Sequence, residues 1–274
     1  MGSLALHAFL TAASLLFAVA TLLYLAYLRW RKNDTGFWAS FFALMGWIAL
    51  SVGAVVRGAL LGQIPLGSFS DSLLLLVWFL ASSFFVVEQR FGLKAGGAFV
   101  LPTVTAGVLY ATLTPAEVNM LLPILRSPWV SWHVGLVFAG YATFALAAVA
   151  GLLYLLQERE LKSKRLTFMH FSLPSLGALE RLAVLLVAVG FPCLTLGILT
   201  GALWSRQVWG SYIPWDPKVV WTLATWLFYC GALVARRVWG WRGRRIALFT
   251  VVGFLAVIAN YLGITWLWHG VHRF

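Results

Sequence analysis

Long apolar runs restrict this 274-residue chain more than any other feature of its sequence. Eight of them recur along the chain, each nearly free of charge and long enough for the about 20 residues that a membrane-spanning helix needs. They lie near residues 4–28, 36–61, 69–87, 94–113, 131–156, 179–203, 218–237 and 245–267. Only 10% of the residues are charged, whereas about 25% are charged in a soluble domain. The runs predict an all-α, polytopic membrane helix bundle of about eight transmembrane helices, which we interpret as one domain covering residues 1–274.

The basic residues predict how the bundle is oriented, because loops on the inner side of a membrane are enriched in Lys and Arg. Fifteen of the 20 Lys and Arg residues lie around the loops that follow odd-numbered runs, and five lie on the opposite face. This distribution predicts that both termini, and the loops near 62–70, 114–132 and 204–217, are on the outer side. The net charge of +12 is thus mainly a topology signal. Nucleic-acid binding is not indicated, because no soluble basic domain is present to carry it.

An aromatic cluster lies on the predicted outer face, in the stretch WGSYIPWDPKVVW at residues 209–221. Its flat apolar rings are those of Trp209, Tyr212, Trp215 and Trp221, and Asp216 lies among them. Tryptophan and tyrosine commonly anchor helix ends at the membrane interface, but one or two rings per helix end suffice for anchoring. A patch this dense also suits stacking against a large, flat, apolar ligand such as a porphyrin.

Histidines frame this cluster on the same predicted side of the membrane. His133 opens the fifth run, and His272 follows the eighth. A single interfacial histidine is more commonly an ordinary polar residue, but imidazole is also a frequent axial ligand of haem iron. The candidate metal ligands are therefore His133 and His272, with His269 as a rival because it lies one helical turn before His272 on the same face.

The motif WGSYIPWDPK resembles the tryptophan-rich signature of the haem-handling proteins of cytochrome c biogenesis, the CcsA and CcmC type. The likeness extends to GFPCLTLGILTGALW before the motif, to TWLFYCGALVARRVWGWRGRRIALFTVVGF after it, to the WHV around His133 and to the C-terminal GVHRF. Further upstream, GQIPLGSFSDSLLLLVW is similar to a segment of that family with the pattern G-H-x-P followed by E-S-L. The resemblance covers nearly the whole chain.

The resemblance implies that His133 and His272 ligate the iron of a transiently bound haem b at the outer face. It implies that the platform is shaped by the signature residues Trp209, Gly210, Trp215 and Asp216, next to Tyr212 and Trp221 of the same cluster. The protein would be a multi-pass protein of the inner or plasma membrane that offers haem to apocytochrome c, beside a partner membrane protein. Asp216 followed by Pro217 also predicts an N-cap of the seventh helix, which is compatible with a role in shaping the loop.

Four positions depart from the family pattern. Ile213 replaces a tryptophan and Val219 a glutamate of the signature, while Gln63 and Val234 replace two histidines. The resemblance associates those two histidines with a deeper inner haem site, which this chain cannot build from these positions. Their loss favours an alternative, a HemX-like protein linked to the control of haem synthesis.

A third alternative is a membrane scaffold or transporter that binds no haem, with an exaggerated aromatic belt. A transporter is expected to carry ionisable residues facing the bundle interior, and the predicted spans offer little beyond His7, Arg57 and Asp71. No nucleophile lies beside a base, and no carboxylate pair occupies a plausible pocket. Whether the protein is an enzyme stays open, and catalysis would belong to a haem lyase complex of which it is a part.

Overall fold

The computed structural model describes residues 2–30, 32–62, 64–114, 127–163, 173–214 and 216–264. Within these ranges, eight helices are long and apolar enough to cross a membrane. The predicted all-α fold class with about eight spans is therefore confirmed, while the outer placement of the termini stays a prediction. Several residues of interest lie outside the described ranges, namely Gln63, Trp215, His269 and His272.

The helices follow the apolar runs but extend beyond them at several ends. They are α1 (Gly2–Trp30), α2 (Asn33–Leu61), α3 (Phe69–Phe91), α4 (Gly97–Leu113), α5 (Pro128–Ser163), α6 (Leu176–Trp209), α7 (Pro217–Val238) and α8 (Arg244–Ile258). A short 3₁₀ helix, Lys94–Gly96, precedes α4, and α8 continues as a π-helical segment, Ala259–Ile264. The 36 residues of α5 span about 54 Å at 1.5 Å per residue, well beyond the about 30 Å of a hydrocarbon core.

The chain divides into two compact units. Unit 1 comprises residues 1–121 and 157–174, and unit 2 comprises residues 122–156 and 175–274. Two compact units of helices are compatible with one functional domain, so the single domain over residues 1–274 stays a prediction.

In unit 1, α1 packs along α2 and against α4, and α3 packs against α4. Glycines allow the close approach of α2 to α1: a Cβ at Gly46 would lie 3.1 Å from the ring of the fully buried Phe17. Between α2 and α3, the rings of Trp47 and Trp78 stack at 5.8 Å. The indole N–H of Trp47 donates to Ser82 Oγ on α3, and that of Trp78 donates to Ser51 Oγ on α2, both at 2.8 Å. Each tryptophan is therefore satisfied by a hydroxyl of the opposite helix.

Unit 1 also buries charged side chains. The Arg57 guanidinium on α2 donates to the Asp71 carboxylate on α3 at 3.1 and 3.4 Å, and both side chains are at most 7% exposed. At the other end of α3, the buried Glu88 accepts hydrogen bonds from Tyr24 Oη at 2.9 Å and Ser40 Oγ at 2.5 Å. The exposed His7 of α1 takes no part in this interior.

In unit 2, α5 contributes one wall of a tightly packed interior. The rings of Phe144 on α5 and Tyr229 on α7 stack at 3.7 Å with an interplanar angle of 7°. Glycines allow α5 and α6 to approach closely, since a Cβ at Gly140 would lie 3.2 Å from the backbone oxygen of Gly190. Small residues at helix contacts are typical of membrane bundles, where close backbone approach supplies much of the packing energy.

Candidate functional site

His133 lies in the second turn of α5 with its ring half-buried against α6. Its Nδ1 is 2.7 Å from the backbone oxygen of Gly197. A carbonyl oxygen only accepts hydrogen bonds, so Nδ1 carries the proton and donates it. The neutral ring then has its lone pair on Nε2, which is the tautomer that ligates a metal through Nε2.

The ring of His133 also occupies space that is free only because Gly201 has no side chain. A Cβ at this position would lie 2.5 Å from His133 Nδ1 and 2.8 Å from Cε1, distances at which something must move. Gly197 and Gly201 are one turn apart on α6 and share a face. Gly197 supplies the accepting carbonyl and Gly201 supplies the space, so the two glycines define a seat for the imidazole.

The aromatic stretch begins as helix rather than as loop. α6 continues through Trp209 and ends at Gly210, whose φ of 71° lies in the left-handed region that favours glycine. The loop between α6 and α7 is therefore only residues 210–216. Its start is fixed by Ser205 Oγ, which donates to the backbone oxygen of Ser211 at 2.6 Å.

The described aromatic residues of the stretch present their rings outward. Trp209, Tyr212 and Trp221 are 38%, 47% and 42% exposed, so their faces are not used up by internal packing. The Trp209 ring meets that of the buried Trp204 edge-on at 4.9 Å, and the Arg206 guanidinium lies 4.6 Å above the Tyr212 ring. Trp221 Nε1 donates to the backbone oxygen of Ala256 on α8 at 2.8 Å. These contacts hold the rings in place while leaving apolar surface available.

Asp216 caps α7, as the sequence predicts. Its carboxylate accepts the backbone N–H of Lys218 at 2.8 Å, and Pro217 occupies the first helical position. The side chain is 5% exposed. Lys218 follows in the first turn of α7. The cap thus fixes the point at which the loop ends and α7 begins.

A neutral polar cluster ties the helices of this site together below the loop. Asn260, in the π-helical segment, donates from Nδ2 to Tyr141 Oη on α5 at 3.0 Å and to Thr222 Oγ1 on α7 at 2.8 Å. Asn260 is 1% exposed, and its Oδ1 finds no hydrogen-bond partner in the described part of the chain. A π-helical turn often marks a functional site, and here it directs a polar side chain between α5 and α7.

Unit 2 therefore brings together His133, Trp209, Gly210, Tyr212, Asp216 and Trp221 at one end of α5, α6 and α7. Trp215 and His272 complete the predicted set but lie outside the described residues, as does the rival His269. Sequence reasoning missed Gly197 and Gly201 as partners of the imidazole. The spacing of four residues was visible, but the residue that faces each glycine was not.

Comparison with known proteins gives matches over most of the chain. The family described as Cytochrome C assembly protein matches residues 66–272. A cytochrome c biogenesis protein CcsA of Guillardia theta is 33% identical over 232 residues, which are 78% of this chain and 77% of the relative. Proteins of the same name from Porphyra purpurea and Prochlorococcus marinus (strain MIT 9515) are each 30% identical, over 275 and 266 residues. These alignments cover 86% and 89% of this chain, and 86% and 85% of the relatives.

Proposed function

We propose, from the premise that this chain belongs to the cytochrome c assembly protein family, that it holds haem for delivery to apocytochrome c. The chain is a multi-pass membrane protein with a role in cytochrome c biogenesis. Haem b would be held transiently at the outer face, between His133 and His272, on the Trp-rich loop.

The observation that carries the proposal is the hydrogen bond from His133 Nδ1 to the Gly197 oxygen at 2.7 Å. Metal-ligating histidines commonly donate their second ring N–H to a carbonyl or carboxylate, which fixes the tautomer and increases the basicity of the ligating nitrogen. His133 has this arrangement together with a ring position set by Gly201. The imidazole is therefore prepared as a ligand through Nε2.

The residues around His133 fit a flat macrocycle. Trp209, Tyr212 and Trp221 offer apolar ring faces that are more than one third exposed, and aromatic contacts of this kind favour offset or edge-on stacking. The Arg206 guanidinium, 4.6 Å from the centroid of the Tyr212 ring, supplies positive charge, which suits a tetrapyrrole that carries carboxylates. When bound, haem supplies vinyl groups that add the S–H bonds of apocytochrome cysteines to form thioethers.

The chain's own task would be to bind, orient and present. His133 and the proposed second ligand, His272, would hold the iron, and the loop would fix which edge of the macrocycle faces the substrate. Proton and sulfur chemistry would come from the thiols of the apocytochrome. A partner membrane protein would bring that substrate to the site.

The test is the visible absorption spectrum of the purified protein, reduced and oxidised, after expression with adequate haem supply. We expect a Soret band and sharp low-spin peaks in the reduced protein. His133→Ala or His272→Ala should remove one axial ligand and shift the spectrum to high spin or abolish it. His269→Ala decides between the two C-terminal candidates.

His7→Ala is the matched control, because His7 is an exposed histidine of unit 1. Its spectrum should equal that of the unaltered protein. A Soret band that survives His133→Ala unchanged would exclude His133 as a ligand. Protein that stays haem-free even after reconstitution would overturn the delivery function as a whole.

A further inference from the structure

A second basic feature lies at the opposite end of α7 from the candidate haem site. Residues 236–245, here called the arginine turn, connect α7 to α8 with the sequence RRVWGWRGRR. The turn contains five arginines, two tryptophans and no acidic residue. Membrane topology alone would not require this turn to have a particular structure, because topology depends on how many basic residues lie on each side of the membrane.

The arginine turn nevertheless has a fixed structure. Glu180 on α6 accepts from Arg236 Nη1 through Oε1, and from the backbone N–H of Gly243 through Oε2 at 2.9 Å. Arg236 Nη1 also donates to the backbone oxygen of Trp241 at 3.0 Å. Gly240 and Gly243 have φ values of 64° and 61°, which favour glycine and close the turn. One carboxylate therefore organises both sides of the turn.

The remaining arginines of the turn reach solvent. Arg237, Arg242, Arg244 and Arg245 are exposed. The Arg245 guanidinium lies 5.7 Å from the Trp241 ring centroid, and that ring packs edge-on against Phe249 at 5.2 Å. Trp239 is 66% exposed beside them, as is typical of a residue at the membrane interface.

An apolar crevice adjoins the arginine turn. α6, α7 and α8 each contribute to its walls, for example through Val184, Leu233 and Phe249. Along α7 its lining extends from Arg236, next to the turn, to Tyr229. These two residues are seven positions apart, which corresponds to about 10 Å along the helix. The crevice is shallow: it is partly open, its volume of about 20 Å³ has room for roughly one water-sized group, and its lining surface is almost entirely apolar.

We propose that the arginine turn and this crevice together bind one anionic phospholipid of the adjacent leaflet. Its phosphate would lie on Arg242 and Arg245, and an acyl chain would lie along the open, apolar side of the crevice. Guanidinium groups pair with phosphate through two parallel hydrogen bonds, and basic pockets between transmembrane helices bind anionic headgroups. Charge complementarity selects the headgroup, and the apolar lining selects a lipid over a free anion. The site is independent of the proposed haem function.

The experiment measures lipid binding to the full-length protein in neutral detergent by native mass spectrometry. The probes are dioleoyl-phosphatidylglycerol, dioleoyl-phosphatidylcholine and inorganic phosphate. The first variant is Arg242→Gln/Arg245→Gln, and its control, Arg159→Gln/Lys162→Gln, removes the same charge from exposed residues at the end of α5. The second variant, Leu233→Trp, fills the crevice and keeps every arginine.

We expect phosphatidylglycerol to bind at least tenfold more tightly than phosphatidylcholine. Arg242→Gln/Arg245→Gln should weaken it roughly tenfold or more, the control should leave it within about twofold, and Leu233→Trp should weaken it without affecting inorganic phosphate. Equal losses in the two double variants would show diffuse attraction and overturn the proposal. Displacement of the lipid by equimolar phosphate, or unchanged lipid binding to Leu233→Trp, would show that the crevice does not contribute to lipid binding and would overturn that part of the proposal. If Arg242→Gln/Arg245→Gln does not fold, Leu233→Trp alone decides.

Discussion

The two units differ in the kind of polar group that they bury. Unit 1 places charges inside, with the Arg57–Asp71 ion pair near one end of α3 and Glu88 near the other. Among the described residues of unit 2, the buried polar side chains within the helices are neutral, including Thr225, Thr250 and Asn260, and the buried carboxylate of Asp216 lies at the start of α7, where it caps the helix. Both units consist of similar apolar helices, so the contrast is not one of fold class.

The difference indicates different tasks. A buried charge that is paired within its own unit restricts the helices to one arrangement, because separating the pair exposes each charge to low dielectric. A neutral interior with glycine contacts tolerates an imidazole and a nearby apolar ligand surface without such a penalty. Ionisable residues in a membrane are usually functional-site candidates. In unit 1 they bind one another or hydroxyls, which favours a structural role.

The largest effect is expected from breaking the ion pair of unit 1. Arg57→Leu leaves the Asp71 carboxylate buried without its guanidinium and should lower the free energy of unfolding by about 3–5 kcal/mol. The measurement is denaturant unfolding in detergent micelles. Arg57→Leu/Asp71→Leu, which removes both charges, should recover most of the loss. Equal destabilisation of the single and double variants would show that the ion pair does not restrict the helices to one arrangement.

In unit 2 the corresponding disruption adds only one methyl group. Gly201→Ala places a Cβ 2.5 Å from His133 Nδ1 unless the ring moves. Overpacking of this kind costs about 1–3 kcal/mol, so we expect haem affinity, measured by titration of the Soret band, to fall by about 5- to 150-fold. The control is Gly135→Ala on the helix of His133, where a Cβ meets nothing within 4 Å. Equal haem affinity in the two variants would show that haem binding does not depend on the ring position that Gly201 sets.

Glu88 tests whether the interior of unit 1 requires charge or only hydrogen bonds. Glu88→Leu removes the carboxylate acceptor, so the Tyr24 hydroxyl keeps only Ser40 Oγ at 3.3 Å and the Ser40 hydroxyl keeps only the Gly36 oxygen at 3.0 Å. This change should cost about 2 kcal/mol of unfolding free energy. Glu88→Gln retains an acceptor oxygen and should cost less than about 1 kcal/mol. Unfolding in micelles distinguishes the two variants. Equal losses in Glu88→Gln and Glu88→Leu would mean that the negative charge itself is needed, because a neutral acceptor oxygen would then recover nothing.

The smallest effect is expected at the cap of α7. Asp216→Ala removes the acceptor for the Lys218 N–H and should destabilise unit 2 by about 1 kcal/mol, whereas Asp216→Asn keeps a capping oxygen and should be nearly neutral. Haem titration adds a second readout. If Asp216→Asn unfolds like the unaltered protein but binds haem more weakly, the carboxylate acts on the ligand as well as on the helix.

The number of helices and the cap were predictable, because each depends on local sequence. Apolar runs of sufficient length predict spanning helices, and an Asp-Pro pair predicts a helix start. Helix ends were less predictable. α6 runs on from the apolar stretch through Arg206 and Gln207 to Trp209, since these polar residues are compatible with helix and only Gly210 ends it.

The interior contacts were not predictable from one sequence. Glu88 reads as a residue beyond the third apolar run, yet α3 continues to Phe91 and buries it. Its partners lie 48 and 64 residues away in the sequence, on α2 and α1. Gly201 reads as one of many glycines in an apolar run. Its relation to His133 depends on the crossing of α5 and α6, which hydrophobic periodicity does not specify.

The seat of His133 also restricts how this chain can change over generations. Gly201 leaves free the space that the imidazole occupies, and every other amino acid would place at least a Cβ there. No substitution at Gly201 avoids this contact with the ring. At Gly135, on the helix of His133 itself, a Cβ meets nothing within 4 Å, so substitutions there are tolerated more easily. A survey of natural variants of this gene should find the two glycines sharply unequal in diversity, although both read simply as glycine in an apolar helix.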